Sequence, residues 1–444
     1  MDTYFLGDLY QQIIDELPNE LGGKKRLNLE KSKQELKRAQ NLIPGGICGS
    51  RQPVNFLNGE FPIYISGGKN GHCWDLDGNE FVDFMAGFGP TTIGLAIPEI
   101  DDAVKAQIDN GFCFTIPQKA QNDLAAKMKE IIPCAERSVF CKTGTDSTTM
   151  AVRIARAYTG NEIILTSGFH GWADFSQYKI DGGVLQSTRD KTIELPYGDS
   201  EAYEREIKKG NIACIMISTV TAGPMLPVVR DVDFIKRMRE LADEYKVPLI
   251  FDEIRTGFRY ALDGGMSDIG VIPDMACFSK AMGNGYSIAA VCGKEEIMQP
   301  IANVLETGKD ATFITSTYFT NSLEMIAALA VIDFYQKHDV INELKKKGAY
   351  YNNKLKEIIA KHNAPVKIIG DDGQPGFMFD RDSMDLETFA RRTITLSAYL
   401  IRSGILIHPW RQQYFMYTHT QEDIDKSLQM FDEGLTVVKE MYPW

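Results

Sequence analysis

Between residues 137 and 293 the chain alternates short apolar runs with stretches of helical period. The runs are RSVFC, NEIILT, ACIMIST, VPLIFDE, DMACFS and IAAVCG, and the amphipathic stretches TTMAVRIARAY and VDFIKRMRELADEY fall among them. IDDAVKAQI and AQNDLAAKMKEII precede them with the same period. Runs that are apolar throughout, without polar alternation, predict strands covered on both faces, hence a mostly parallel sheet between two layers of helices. Residues 3–40 predict two helical stretches broken at Pro18 and Gly22-Gly23. The second carries Leu29, Leu36 and Ile43 at a seven-residue spacing, which reads as an arm packed on a neighbour. The PGG at 44–46 ends that arm, and FPIYISGG and NGHCWDLDGNEFVDFM predict strands, the latter a hairpin turning at Asp77-Gly78. From residue 324 the texture changes to two long helices, then weaker strands and a last helix from Glu422. The expected division is a helical arm at 1–40, the first part of a small domain at 41–75, a large domain at 76–323, and a return to a small α+β domain at 324–444.

Composition narrows the classes. At 444 residues and 44% hydrophobic, the chain exceeds what one compact core usually holds. Lys and Arg number 48 against 60 Asp and Glu, a net charge of −12, which leaves no electrostatic footprint for nucleic acid or an anionic membrane. The eight cysteines form no CxxC pair and no zinc-ligand spacing, and several sit inside the apolar runs, so free buried thiols in a reducing cytoplasm are expected. The N-terminal MDTYFLGDLYQQ has no apolar core of a signal peptide, and no apolar stretch approaches a membrane span.

Four local features carry chemistry. VPLIFDEIRTGF is a strand running out into Asp252 and Glu253, at the sheet edge where open α/β folds bind ligands. DMACFSKAMGNGY is a strand that delivers Lys280 just before a Gly-Asn-Gly turn, where partial desolvation would make it a nucleophilic amine. FCKTGTDSTTMAVRIARAY places Thr143, Gly144 and Thr145 where free N–H groups and a helix dipole hold a phosphate. An ordinary helix cap by Thr145 or Asp146 explains the same residues, just as a capping acid or a surface lysine explains the first two features singly. SGFHGW follows a strand with Phe169, His170 and Trp172, aromatics that fit either a core or a flat ligand. Neither a Walker loop nor a GxGxxG dinucleotide turn is present.

In this order and spacing the four features resemble the class III aminotransferases of the fold-type I pyridoxal-phosphate enzymes, nearest the glutamate-1-semialdehyde aminomutase branch. The resemblance runs from PGG at 44 to about 330, and resumes at RSGILIHP and THTQEDID. It implies an α/β large domain with a mostly parallel sheet flanked by helices, plus a smaller α+β domain. It implies pyridoxal 5'-phosphate as a Schiff base on Lys280, which also shuttles the proton, with Asp252 pairing the pyridine nitrogen. Thr143, Gly144 and Thr145 match the phosphate turn, Phe169 the stacking aromatic, with His170 beside it and Ile254 pressing on the other face. Thr317 matches a threonine that reaches the neighbouring subunit's cofactor, implying a homodimer with shared sites. Arg51, Phe88, Ser218 and Gln413 are the candidate substrate contacts.

Departures bear on substrate. STV stands where the family reads EPV, so Ser218 replaces a glutamate, and HPWRQQYF offers Gln413 where the mutase branch has another. GLAIP replaces GHAHP, and Phe-His-Gly replaces Tyr-His-Gly. Losing two carboxylates disfavours glutamate-1-semialdehyde. Hydroxyls and amides at Ser218, Thr219, Thr221 and Gln413 suit a hydroxylated or sugar-like carbonyl acceptor, with Arg51 or Arg411 for a carboxylate or phosphate. The expected reaction is ping-pong amino transfer from an amino donor to a keto or aldehyde acceptor. The alternatives are an intramolecular aminomutase, a racemase or decarboxylase on the same fold, and a non-catalytic scaffold.

Overall fold

The computed structural model of the chain describes residues 7–177, 182–221, 226–302 and 312–444. Each of the six apolar runs forms a strand, and together with a short edge strand they make one seven-stranded sheet. In chain order these are β1 (Arg137–Cys141), β2 (Ile163–Thr166), β3 (Thr192–Glu194), β4 (Ile212–Ile217), β5 (Leu249–Asp252), β6 (Met275–Phe278) and β7 (Ala289–Gly293). Their spatial order is β1-β7-β6-β5-β4-β2-β3. All are parallel except β7, which runs antiparallel to both β6 and β1. Every residue of β4, β5, β6 and β7 is buried, as expected of strands covered on both faces. Each such Ile or Leu contributes about 1.5–3 kcal/mol through burial.

A second, four-stranded sheet contains Ile65–Lys69, His72–Asp75 and Glu80–Asp83 in antiparallel order, joined by Ile405–Leu406 running parallel to the third. The hairpin turns at Asp77 and Gly78, where the glycine takes φ +91°. The strand at 405–406 thus brings the C-terminal third of the chain beside residues 65–83. Between 362 and 421, where weaker strands were expected, the chain also forms a 17-residue helix, Leu386–Arg402.

The arm consists of helices Gly7–Glu16 and Glu30–Ala39 with a two-residue hairpin between them, Glu20–Leu21 against Lys24–Lys25. Tyr10, Ile13, Ile14 and Leu17 are buried, with the first helix lying against Leu386–Arg402 of the same chain. A buried ion pair fastens it: Arg402 Nη2 and Nε donate to the two carboxylate oxygens of Glu60 at 2.7 and 2.8 Å, and Arg402 Nη1 donates to the Pro18 carbonyl at 2.9 Å. Removing Glu60 would strand the Arg402 charge in the core, a loss of about 3–5 kcal/mol, whereas removing Arg402 leaves Glu60 paired with Arg26 at 3.1 Å. Among the described residues no helix is long and apolar enough to cross a membrane, and no group of three or more His, Cys, Asp or Glu side chains could hold a metal ion.

Candidate active site

The ends of β5 and β6 set the site. They are parallel neighbours with Asp252 opposite Cys277, so Asp252 and Lys280 emerge on the same edge of the sheet. The two acids that end the first run part company there. Asp252 accepts a hydrogen bond from His170 Nδ1 at 2.7 Å and from the Ile254 amide at 3.1 Å. His170 is buried, and its Nε2 lies 3.1 Å from the Ser167 carbonyl, so the ring is clamped as the orienting partner of Asp252. Glu253 instead points into the protein, fully buried. Its carboxylate receives the hydroxyls of Thr219 and Thr256 and the Gly265 amide, and burial pushes its pKa up to about 7.

Lys280 follows Ser279 into a left-handed backbone, φ +47°, where a residue with a Cβ is strained. That turn is over-determined by its neighbours. Ser279 Oγ donates to the Ile288 carbonyl at 2.9 Å. Asn284 accepts from the Ile93 amide and donates to the Gly94 carbonyl, both at 3.0 Å. Lys280 is half-buried as a residue, and burial holds the pKa of its amine below the usual lysine range, with the Arg255 and Arg411 charges adding to the effect.

The Thr143–Thr145 turn begins the helix Gly144–Thr159, capped by Thr143 rather than by Thr145 or Asp146. Thr143 Oγ1 accepts from the Asp146 amide at 3.1 Å and Asp146 accepts from the Thr143 amide at 2.8 Å, a reciprocal capping box. That pairing occupies Asp146 and leaves the Gly144 and Thr145 amides at the helix start as anion donors. Gly144 packs closely on Ile254: a Cβ there would stand 2.9 Å from Ile254 Cδ1, so the isoleucine side chain would have to shift. Gly171, at φ +115°, leaves room for the Thr145 hydroxyl in the same way. Thr148 Oγ1 donates to the His170 carbonyl at 2.7 Å, clipping the aromatic loop to this helix. Phe169 and Trp172 on that loop are 75% and 76% exposed.

These residues fit pyridoxal phosphate. A fixed carboxylate, an amine of lowered pKa and a helix N-terminus with spare amides are the three groups the cofactor's ring nitrogen, aldehyde and phosphate require.

A second wall faces them. Residues 86–89 run Ala86, Gly87, Phe88, Gly89 at φ +46°, +62°, +71° and +106°, held by Asp83, which accepts from the Met85 and Ala86 amides. The strained Phe88 ring receives the Arg51 guanidinium at 4.1 Å and that of Arg411 at 5.7 Å. Two cations share one ring, and with burial they hold His408 down at about 3, hence neutral. Ser218 is half-buried just beyond β4. Gln413 is buried with its amide beside the Tyr351 hydroxyl, so it is turned inward. Thr317 is exposed on this chain. The sequence reading did not single out Arg255 and Tyr414. Both act on Lys280, and Arg255 is braced by a hydrogen bond to the Val220 carbonyl.

Known proteins resemble this chain over most of its length. The family described as Aminotransferase class-III matches residues 56–435. The 3-aminobutyryl-CoA aminotransferase of Cloacimonas acidaminovorans is 37% identical over 94% of this chain and 99% of its own length. The glutamate-1-semialdehyde 2,1-aminomutase of Natranaerobius thermophilus is 30% identical over 91% and 98%. Among solved structures, the FumI protein of Sphingopyxis sp. MTA144 in its PLP internal aldimine form superposes with a TM-score of 0.86 at 26% identity, covering 93% of this chain and 97% of that one. The chain belongs to the pyridoxal-phosphate-dependent class III aminotransferases.

Proposed function

We propose that this aminotransferase works by a ping-pong exchange whose donor is the coenzyme A thioester of a 3-amino acid and whose acceptor is a 2-keto acid. Support for the donor comes from the 37% identity to a 3-aminobutyryl-CoA aminotransferase over nearly the whole chain. The single observation that carries the reading within the site is the pair of guanidinium groups on Phe88. They equip the second wall for anionic substrates, while Gln413, on which a sugar-like acceptor leaned, is turned inward. Bound pyridoxal phosphate supplies an aldehyde carbon that takes up the amino group and a ring that withdraws electrons from the carbon losing its proton.

The chain's own residues would do the rest. Lys280 anchors the cofactor, and its Nζ, once released as a neutral amine, accepts the substrate's proton and returns it. Asp252, oriented by His170, keeps a negative charge against the pyridine nitrogen. The Gly144 and Thr145 amides hold the phosphate, Phe169 and Ile254 flank the ring, and Ser218 borders the substrate. We place the working form as a homodimer in which a second copy covers Phe169 and Trp172 and receives Thr317. Six buried and two exposed free cysteines suit a reducing cytoplasm.

Mixing the enzyme with 3-aminobutyryl-CoA should bleach the visible band of the bound cofactor, and adding a 2-keto acid should restore it. A band that ignores the thioester and responds only to other amines would refute the donor. The aminomutase reading rests on the 30% identity to that branch, and it predicts isomerisation with no external donor consumed. Sedimentation at working concentration, with a monomer as the adverse result, tests the dimer.

A further inference from the structure

Two stretches of chain meet at the base of the Phe88 wall. Tyr414 N donates to the Phe84 carbonyl at 2.8 Å, Tyr417 N to that of Thr92 at 2.9 Å, and Thr418 N to that of Ile93 at 3.0 Å. Between the first of these rungs and the second, the left-handed run from Ala86 to Gly89 leaves the pairing and carries Phe88 with it. Asp83 holds the start of that run through the Met85 and Ala86 amides. Its end is held by Thr92, whose hydroxyl donates to the Gly89 carbonyl at 3.1 Å.

Arg259 bears on that second hold. It comes from the turn after β5, where its amide donates to the Thr256 carbonyl at 3.1 Å, and its side chain is completely buried. Nη2 donates to Thr92 Oγ1 at 2.8 Å, Nη1 to the Phe415 carbonyl at 3.2 Å, and the guanidinium lies over the Tyr414 ring at 5.0 Å. Tyr414 packs so closely on Gly89 that a Cβ there would stand 3.0 Å from its ring. One guanidinium thus reaches the neighbour of Phe88 twice, through a hydroxyl and through a ring. Among the described residues no carboxylate bonds to it, and its Nε has no hydrogen-bond partner. A buried cation held by neutral acceptors costs desolvation that an apolar side chain of the same volume would not. What the arginine supplies instead is geometry, a rigid fork that spans both stretches at once.

We propose that Arg259 is a positioning residue for substrate selection, a strut that acts through Thr92 to fix the Phe88 run and the place of Arg51 upon it. The inference rests on the reading that this wall receives the substrate. Because Thr92 Oγ1 accepts from Arg259, its own proton is directed to the Gly89 carbonyl. Removing the guanidinium frees that hydroxyl to turn, and removing the hydroxyl leaves a buried donor and a carbonyl unpaired together. Either change loosens Phe88. Asp252 and Lys280 keep their own holds, His170 for the one and the turn closed by Ser279 for the other.

Thr92→Val keeps the side chain's shape and removes the hydroxyl, while Thr92→Ser keeps the hydroxyl. In the holoenzyme, amide hydrogen exchange over residues 85–91 should quicken about tenfold in Thr92→Val and in Arg259→Met, with residues 144–152 exchanging as in wild type. In the half-reaction with 3-aminobutyryl-CoA, Thr92→Val should raise the half-saturating concentration about tenfold and keep the limiting rate within about twofold. Thr92→Ser should restore wild-type values. Unchanged exchange over 85–91 in Thr92→Val overturns the strut, and so does a limiting rate that falls as steeply as the affinity. Faster exchange with unmoved half-saturation leaves the strut standing and refutes the assignment of this wall to the substrate. If wild type refuses the thioester, the donor reading fails, and the exchange measurement, which needs no substrate, still decides the strut. If Arg259→Met does not fold, Thr92→Val decides alone.

Discussion

The two walls of the cleft are built on different principles. The sheet-edge wall is rigid and tuned for one negative charge: Asp252 ends a fully buried strand, His170 clamps it, and Thr143 with Asp146 fixes the phosphate turn. The opposite wall is loop, with backbone in the left-handed region from Ala86 to Gly89 and positive charge from Arg51 and Arg411. Regular structure gives the precision that proton transfer needs, while loops can carry a changing set of charges without disturbing it. Under the proposed function, that difference assigns reaction type and substrate choice to separate parts of the molecule.

Mutations can break that division or sharpen it. Lys280→Ala should abolish turnover, a loss of about a thousandfold or more in the donor half-reaction, measured by stopped flow. Asp252→Asn should cost on the order of a hundredfold in kcat with the substrate KM nearly unchanged, since it removes charge from the sheet wall alone. An equal rise in KM would show that the walls are not separable. Gly144→Ala forces a methyl toward Ile254 and should weaken cofactor retention about tenfold, read by dialysis against the visible band. Pairing it with Ile254→Val should recover part of the loss, because both act through one contact. Arg51→Gln or Arg411→Gln should raise the KM for anionic substrate about tenfold and leave kcat intact, the converse signature.

The smallest expected effect is one of pH. In the proposed mechanism Lys280 acts as a neutral amine, so the rate should fall as pH falls through its pKa, which burial sets below the usual lysine range. Tyr414 favours the ammonium form, so Tyr414→Phe should lower that pKa further and carry the acid limb of the half-reaction to lower pH. A limb displaced upward would contradict the sign.

The sheet wall was legible in the sequence because strands buried on both faces write themselves as apolar runs, and Asp252 and Lys280 are the polar residues at which two such runs stop. Thr192–Glu194 escaped because three residues on a sheet edge leave no pattern. Leu386–Arg402 escaped because its second half, buried from Arg392 to Arg402 without a break, carries a β-branched Thr-Ile-Thr that imitates a strand. The loop wall was hardly legible. Gln413 and Tyr414 are adjacent, and which of them faces the cleft depends on the backbone of an irregular segment, fixed by Gln413 N to the Pro375 carbonyl and Tyr414 N to that of Phe84. The apposition of Arg51 and Arg411 over Phe88 joins residues 360 positions apart, and no local spacing records it.

Asn284 lies where the division ends. Its side chain bonds the Ile93 amide and the Gly94 carbonyl from the turn that holds Lys280, so a few residues of chain connect it to the strained run at Phe88. Elsewhere a lineage of such enzymes is free to redraw its loops around a fixed chemistry. At this amide a single replacement would alter speed and selectivity together, which makes it the joint where the evolution of the two walls becomes one problem.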